Sequence, residues 1–145
     1  MPGSKDRIFL DTNILLYAYD PSAADKHAIA KGICRDLWEK RRGLVSTQVL
    51  QEFYVAGTTK IARPLNSDLA KTIIADLLCW DVVVNDGDSL LEAIDIQKKR
   101  KLSFWDALIV QAAVRGRAKW ILSEDFTDGQ VIEGVAIINP FRNRG

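Results

Sequence analysis

The sequence predicts an α/β chain folded as a three-layer α/β/α sandwich around a mainly parallel central sheet. Short and mostly apolar runs at 8–10, 44–45, 81–84, 120–122 and 135–138 read as buried strands. Longer segments with apolar residues at helical spacing separate them. Strands that alternate with helices pair in parallel through crossovers, which place helices on both faces of a sheet. At 145 residues, with no internal repeat, low-complexity stretch or linker, residues 1–145 are expected to form one domain.

The elements follow in order. RIFL, residues 7–10, reads as the first strand and stops at Asp11-Thr12-Asn13. Any of these three can cap a helix over 12–19, which Asp20-Pro21 terminates. Residues 25–40 form a helix with Ile29, Ile33 and Leu37 spaced at four and Trp38 beside them, and Gly43 is expected to end it. Leu44-Val45 makes a brief second strand. Thr47 is expected to cap the next helix, which carries the stripe Val49, Leu50, Phe53 and Tyr54.

Asn66 or Ser67 opens another helix with Leu69, Ile73, Ile74, Leu77 and Leu78. Asp81 to Val84 reads as a fully buried strand. Residues 88–100 form a helix expected to bury Leu90, Leu91 and Ile94 and to end in a basic cluster. Ser103 caps the next, with Leu108, Ile109, Ala112 and Ala113 inward, and Gly116 ends it.

A composition of 48% hydrophobic and 27% charged residues is ordinary for a soluble globular protein. No apolar run approaches the roughly 20 residues that span a bilayer, so no membrane role is expected. The start, MPGSKDRI, lacks the apolar core of a secretion signal, which sets a cytoplasmic expectation. Cys34 and Cys79 are isolated and read as reduced thiols. The single histidine, His27, reads as an ordinary surface or boundary residue, so Ser-His-Asp or Cys-His chemistry has little to build with. Trp38, Trp80, Trp105 and Trp120 read mostly as core, with an interface role open for some.

Net charge is +1, from 20 basic and 19 acidic residues, a balance that does not advertise nucleic-acid binding. The sum misleads if several carboxylates gather at one place, because the remaining surface is then basic. Bunches such as Lys98-Lys99-Arg100-Lys101 read first as solvated helix ends, where cations are favoured.

Four acids fall near element ends, where open α/β sheets place their ligands. Asp11 follows the first strand, and Glu52 lies on the helix after the second. Asp106 sits in the first turn of the helix opened by Ser103, and Asp125 follows Trp120–Leu122. Each has a plain alternative: Asp11 a cap, Ser103-x-x-Asp106 a capping box, Glu52 a solvated helical residue, Asp125 and Asp128 turn residues. Gathered from four elements, the acids would repel and raise one another's pKa values unless a cation compensated. An all-oxygen set suits Mg²⁺ or Mn²⁺ better than zinc.

The segments FLDTNILLYAYD, STQVLQEFYV, LSFWDALIVQAA and ILSEDFTDGQ…GVAIINPF resemble the PIN domain, in that family's order, and the likeness is nearest to VapC-type ribonuclease toxins. It covers nearly the whole chain, from Ile8 to Phe141. The resemblance implies a PIN-like sandwich and a metal-dependent endoribonuclease using Mg²⁺ or Mn²⁺. It assigns Asp11, Glu52, Asp106 and Asp125 as catalytic and metal-holding acids, with Thr12, Asn13 and Ser123 in support. Asp128 stands as the alternative to Asp125. It also implies an RNA substrate, an antitoxin partner and a homodimer. Two rivals stay open. One is a haloacid-dehalogenase-like phosphatase, against which Asn13 speaks because that chemistry commonly needs an acid there. The other is a non-catalytic module whose acidic pocket receives a basic peptide.

Overall fold

A computed structural model of the chain describes residues 6–142. Strand β1 (Arg7–Leu10) leads into helix α1 (Thr12–Ala18), a short 3-10 turn at Pro21–Ala23 and helix α2 (Asp25–Lys40). Strand β2 (Gly43–Ser46) runs directly into α3 (Thr47–Thr59), followed by α4 (Ser67–Leu77) and β3 (Asp81–Val83). Helices α5 (Gly87–Arg100) and α6 (Phe104–Arg115) precede β4 (Ala118–Leu122), and a hairpin of β5 (Val131–Ile132) and β6 (Val135–Ile138) closes the chain.

The six strands form one sheet in the order β3-β2-β1-β4-β6-β5. Every pair is parallel except β5 with β6. Helices α1 to α4 pack on one another in sequence-local groups, and α5 packs on α6, so the sheet is covered as a three-layer α/β/α sandwich. Phe9, Leu10, Ile14, Leu15, Val45, Val49, Phe53, Ile121 and Ile137 are fully buried in one continuous core. Burying each large apolar side chain contributes about 1.5–3 kcal/mol, which holds β1, β2 and β4 at the centre of the fold. Their carboxyl ends, at Leu10, Ser46 and Leu122, lie side by side through the registers Phe9↔Leu44 and Leu10↔Leu122.

Several local expectations are corrected. Helix α2 ends at Lys40 with Arg41 in the left-handed region, while Gly43 already belongs to β2. Gly43 is a glycine because a Cβ there would come within 2.3 Å of the Trp80 ring. The cap of α3 is Ser46, whose Oγ accepts from the Val49 N–H at 3.3 Å, and Thr47 is the first helical residue. Strand β3 is an edge strand, half exposed, because only β2 pairs with it.

Helix α5 turns the other way round from its leucine pattern. Leu90, Leu91 and Ile94 are exposed, Leu91 by 65%, and Ser89, Ala93 and Ile96 are buried instead. Arg115 of α6 donates to Asp86 Oδ1 at 3.0 Å and to Ser89 Oγ at 2.9 Å, bonds that accompany this rotation of α5. The smallness of Ser89 and Ala93 lets the two helices approach. No tryptophan is fully buried: Trp80 and Trp120 are half-buried, Trp38 and Trp105 exposed. The β5 strand was not legible in its two residues. No described helix is long and apolar enough to cross a membrane.

Candidate active site

The edge of the sheet where β1, β2 and β4 end is also where α1, α3 and α6 begin. Asp11 is the residue between β1 and α1. Its backbone N–H still donates to Leu122 O at 3.0 Å, so the position belongs to the sheet, while its side chain already serves the helix. Oδ1 accepts from the Thr12 N–H at 2.8 Å and Oδ2 from the Ser123 hydroxyl at 2.7 Å. The carboxyl group is 5% exposed as a residue and thus nearly dry.

Three further acids surround it. Glu52 lies on α3, with Oε1 accepting from the Thr12 hydroxyl at 2.6 Å and Oε2 from Gln48 Nε2 at 3.4 Å. Asp125 follows β4, and its Oδ2 accepts from Asn13 Nδ2 at 3.0 Å. Its N–H donates to Ser123 Oγ at 3.1 Å, so one hydroxyl links the first and the fourth acid. Asp106 stands in the first turn of α6, whose cap is the Ser103 Oγ accepting from the Asp106 N–H at 3.1 Å.

Electrostatics shows which of them are neighbours. Burial pushes Asp11 up to about 6, with the Asp125 and Glu52 charges adding to it, against the lowering bonds from Ser123 and Thr12. Asp106 is raised by burial, and again the Asp125 and Glu52 charges add while the Ser103 hydroxyl lowers. Among the described residues, no lysine, arginine or histidine forms an ion pair with any of the four.

Asp11, Glu52, Asp106 and Asp125 thus share one electrostatic neighbourhood, with Thr12, Asn13 and Ser123 bonded into it. Asp128 stands apart. Its Oδ1 accepts from the Asn139 N–H at 2.8 Å, and Oδ2 lies 3.9 Å from Arg142 Nη1. Of the two late acids, Asp125 is the one whose charge bears on Asp11 and Asp106.

As they stand, no three His, Cys, Asp or Glu side chains among the described residues converge closely enough to hold an ion. Hydrogen bonds explain the spacing: Glu52 is turned onto Thr12 and Gln48, and Asp125 onto Asn13. The donor set itself fits a hard divalent cation. It is all oxygen, anionic, held by neutral donors, and includes a carboxylate pushed up chiefly by burial, with no described basic partner.

Four residues near the site escaped sequence reasoning. Gln48 bridges Glu52 and the Trp105 carbonyl, at 3.4 and 3.3 Å. Tyr17, Lys26 and Glu124 form a cluster beside Asp125, with the Tyr17 hydroxyl donating to Glu124 Oε1 at 2.5 Å and the Lys26 ammonium paired with the same carboxylate. Only the adjacency of Glu124 to Asp125 could have pointed to them. His27 serves the scaffold, its Nδ1 lying 2.9 Å from the Tyr17 carbonyl oxygen.

A family model described as the PIN domain matches residues 8–127. Among solved structures, a toxin–antitoxin complex from Klebsiella pneumoniae is similar with a TM-score of 0.69 at 17% identity, over 94% of this chain and 99% of that one. VapC20 of Mycobacterium tuberculosis, described as a sarcin–ricin loop cleaving toxin, gives 0.62 at 19% identity, over 81% and 91% of the two chains. DNA-bound VapBC from Salmonella typhimurium gives 0.63 at 15% identity, over 91% and 96%. At these identities the likeness establishes the shared fold. No curated protein matches the chain in sequence.

Proposed function

The chain belongs to the PIN-domain family, and from that premise we propose that it is a divalent-metal-dependent endoribonuclease, the VapC-type toxin of a toxin–antitoxin pair. The observation that carries this reading is Asp11: a buried carboxylate at the centre of the sheet edge, raised to about 6 by burial and two acidic neighbours, with no described basic partner. Such a group is stabilised in its charged form by a cation.

Asp11, Glu52, Asp106 and Asp125 would hold Mg²⁺ or Mn²⁺. When bound, that ion reverses the sign of the site toward a phosphodiester and makes a water more acidic. The rest of the chemistry belongs to the chain's own residues. Thr12 N–H and Ser123 Oγ fix both oxygens of Asp11, so its orientation is set before any ligand arrives. Thr12 and Gln48 hold Glu52, and Asn13 holds Asp125, by single neutral bonds that can be exchanged. Basic residues outside the site supply phosphate contacts whose contribution falls with salt.

The toxin–antitoxin and VapBC descriptions of the structural neighbours support an antitoxin partner for this chain as well. Exposed Trp105, Trp38 and Leu91 provide apolar surface for such a partner or for a homodimer.

The test incubates purified protein with total RNA and Mn²⁺, with Asp11→Asn as control, and maps the new ends. Cleavage at discrete positions by the wild type alone supports the reading. Intact RNA with both Mg²⁺ and Mn²⁺ overturns it, and leaves the binding-module alternative. Hydrolysis of a small phosphate monoester without RNA cleavage points to a phosphatase instead.

A further inference from the structure

Asp125 sits on the connection between β4 and β5, a segment with no regular secondary structure of its own from Ser123 to Gln130. A catalytic acid on such a segment is only as well placed as the bonds that tie the segment down. The residue before it, Glu124, carries three of those ties. Its carboxylate accepts from the Tyr17 hydroxyl of α1 at 2.5 Å and is ion-paired with Lys26 of α2. Its N–H donates to Asn13 Oδ1 at 3.3 Å, and the other end of that same amide, Nδ2, donates to Asp125 Oδ2.

The partners of Glu124 are themselves braced. The Tyr17 and Phe141 rings meet edge to face at 5.1 Å, and the Lys26 ammonium lies 5.1 and 5.6 Å from their centroids. Two helices therefore converge on one glutamate that is not among the four acids sharing the site, and the segment after β6 braces the partners that hold it.

We propose that Glu124 is a positioning residue: gripped by Tyr17 and Lys26, it fixes the backbone and the Asn13 amide that place Asp125 among the other carboxylates. A glutamate suits this role because it accepts from a hydroxyl and an ammonium at once and is held away from the cation site by both. The inference deepens the cation-dependent reading above and rests on it for what Asp125 holds, while the bracing itself stands independently.

Two measurements test it. The first is Mn²⁺ affinity without RNA, by calorimetry, in a double-mutant cycle of Glu124→Ala and Asp125→Asn. Removing a group that orients a metal-holding residue weakens affinity by about tenfold or more. Glu124→Ala is expected to show that loss in the wild-type background and none in the Asp125→Asn background, because it acts through Asp125. Tyr17→Phe gives part of the loss, and Glu124→Gln, which keeps an acceptor, recovers part of it. An equal loss in both backgrounds, or no loss in either, overturns the proposal.

The second is amide exchange at Asp125 and Phe126. Glu124→Ala is expected to speed it about tenfold or more while Ile121 in β4 stays protected. Unchanged exchange overturns the proposal. Protein that binds Mn²⁺ yet leaves RNA intact removes the nuclease reading and leaves the bracing role standing. Protein that binds no Mn²⁺ removes the metal reading, and exchange alone then decides.

Discussion

The Ser123 hydroxyl donates to Asp11 Oδ2 at 2.7 Å, joining the ends of two neighbouring strands that are 112 residues apart in sequence. The same oxygen accepts from the Asp125 N–H at 3.1 Å. One buried hydroxyl therefore orients the first acid and anchors the fourth. Ser123→Ala is expected to lower RNA cleavage by about 10- to 100-fold, the range seen when a group orienting a metal ligand is removed. Single-turnover cleavage rates at saturating Mn²⁺ check it, and wild-type rates would show that the bond is idle.

Burial gives Asp11 a pH signature of its own. Its carboxyl is raised from 3.8 to about 6, so between those values the folded chain binds more protons than the unfolded one. Metal-free stability therefore falls as pH rises from about 4 to about 6 and is level above that. The penalty at pH 8 is of the order of 3 kcal/mol. Asp11→Asn lacks it, and is expected to be more stable than the wild type at pH 8 and no more stable at pH 4, by urea unfolding with chelator present. A variant less stable at pH 8 would show that Asp11 is a structural cap whose charge the fold needs.

Asp106 and Ser103 separate capping from chemistry. Ser103 Oγ accepts from the Asp106 N–H, a cap whose loss costs about 1 kcal/mol. Ser103→Ala is expected to lower thermal stability while cleavage persists, and Asp106→Asn to abolish cleavage with little change in melting temperature. The reverse pattern assigns Asp106 to the capping box and removes it from the site.

The two thiols differ in reach. Burial pushes Cys34 up to about 12, whereas Cys79 is exposed, and no disulfide joins them. Iodoacetamide at pH 8 is expected to label the native chain once, at Cys79, as read by peptide mass spectrometry. Rapid labelling of Cys34 would mean that the packing around α2 opens.

Much of this arrangement was legible beforehand, because strand-end acids are local signals. FLDTN places Asp11 at the junction of an apolar run and a capped helix, and the order of strands and helices dictates the sandwich. Among the described helices, α1 and α6 follow their capping and periodicity closely, whereas α2 keeps its predicted bounds but exposes Ile29 and is capped by Arg41. What the sequence hid depends on contacts between distant residues. Helix α5 buries Ser89, Ala93 and Ile96 instead of its leucines, with Arg115 of α6 bonded to Asp86 and Ser89, so its leucine pattern misleads. Gly43 reads as a helix stop and is in fact room for Trp80. At the site, Asp125 and Asp128 look equivalent in SEDFTDG, and only the Asn13 amide on one and the Asn139 N–H on the other tell them apart. Tyr17 and Glu124 lie within the quoted segments without any pattern that marks them, and Lys26 lies outside them.

Linkage between Mn²⁺ and folding shows most directly whether these carboxylates form a site completed by a divalent cation. Binding to the folded chain alone, at ten times its Kd, adds about 1.4 kcal/mol of stability. Wild-type unfolding at pH 8 is expected to shift by that amount as Mn²⁺ is raised through the millimolar range, and Asp11→Asn to stay unmoved. A wild type indifferent to Mn²⁺, or an Asp11→Asn that gains as much, would contradict the account.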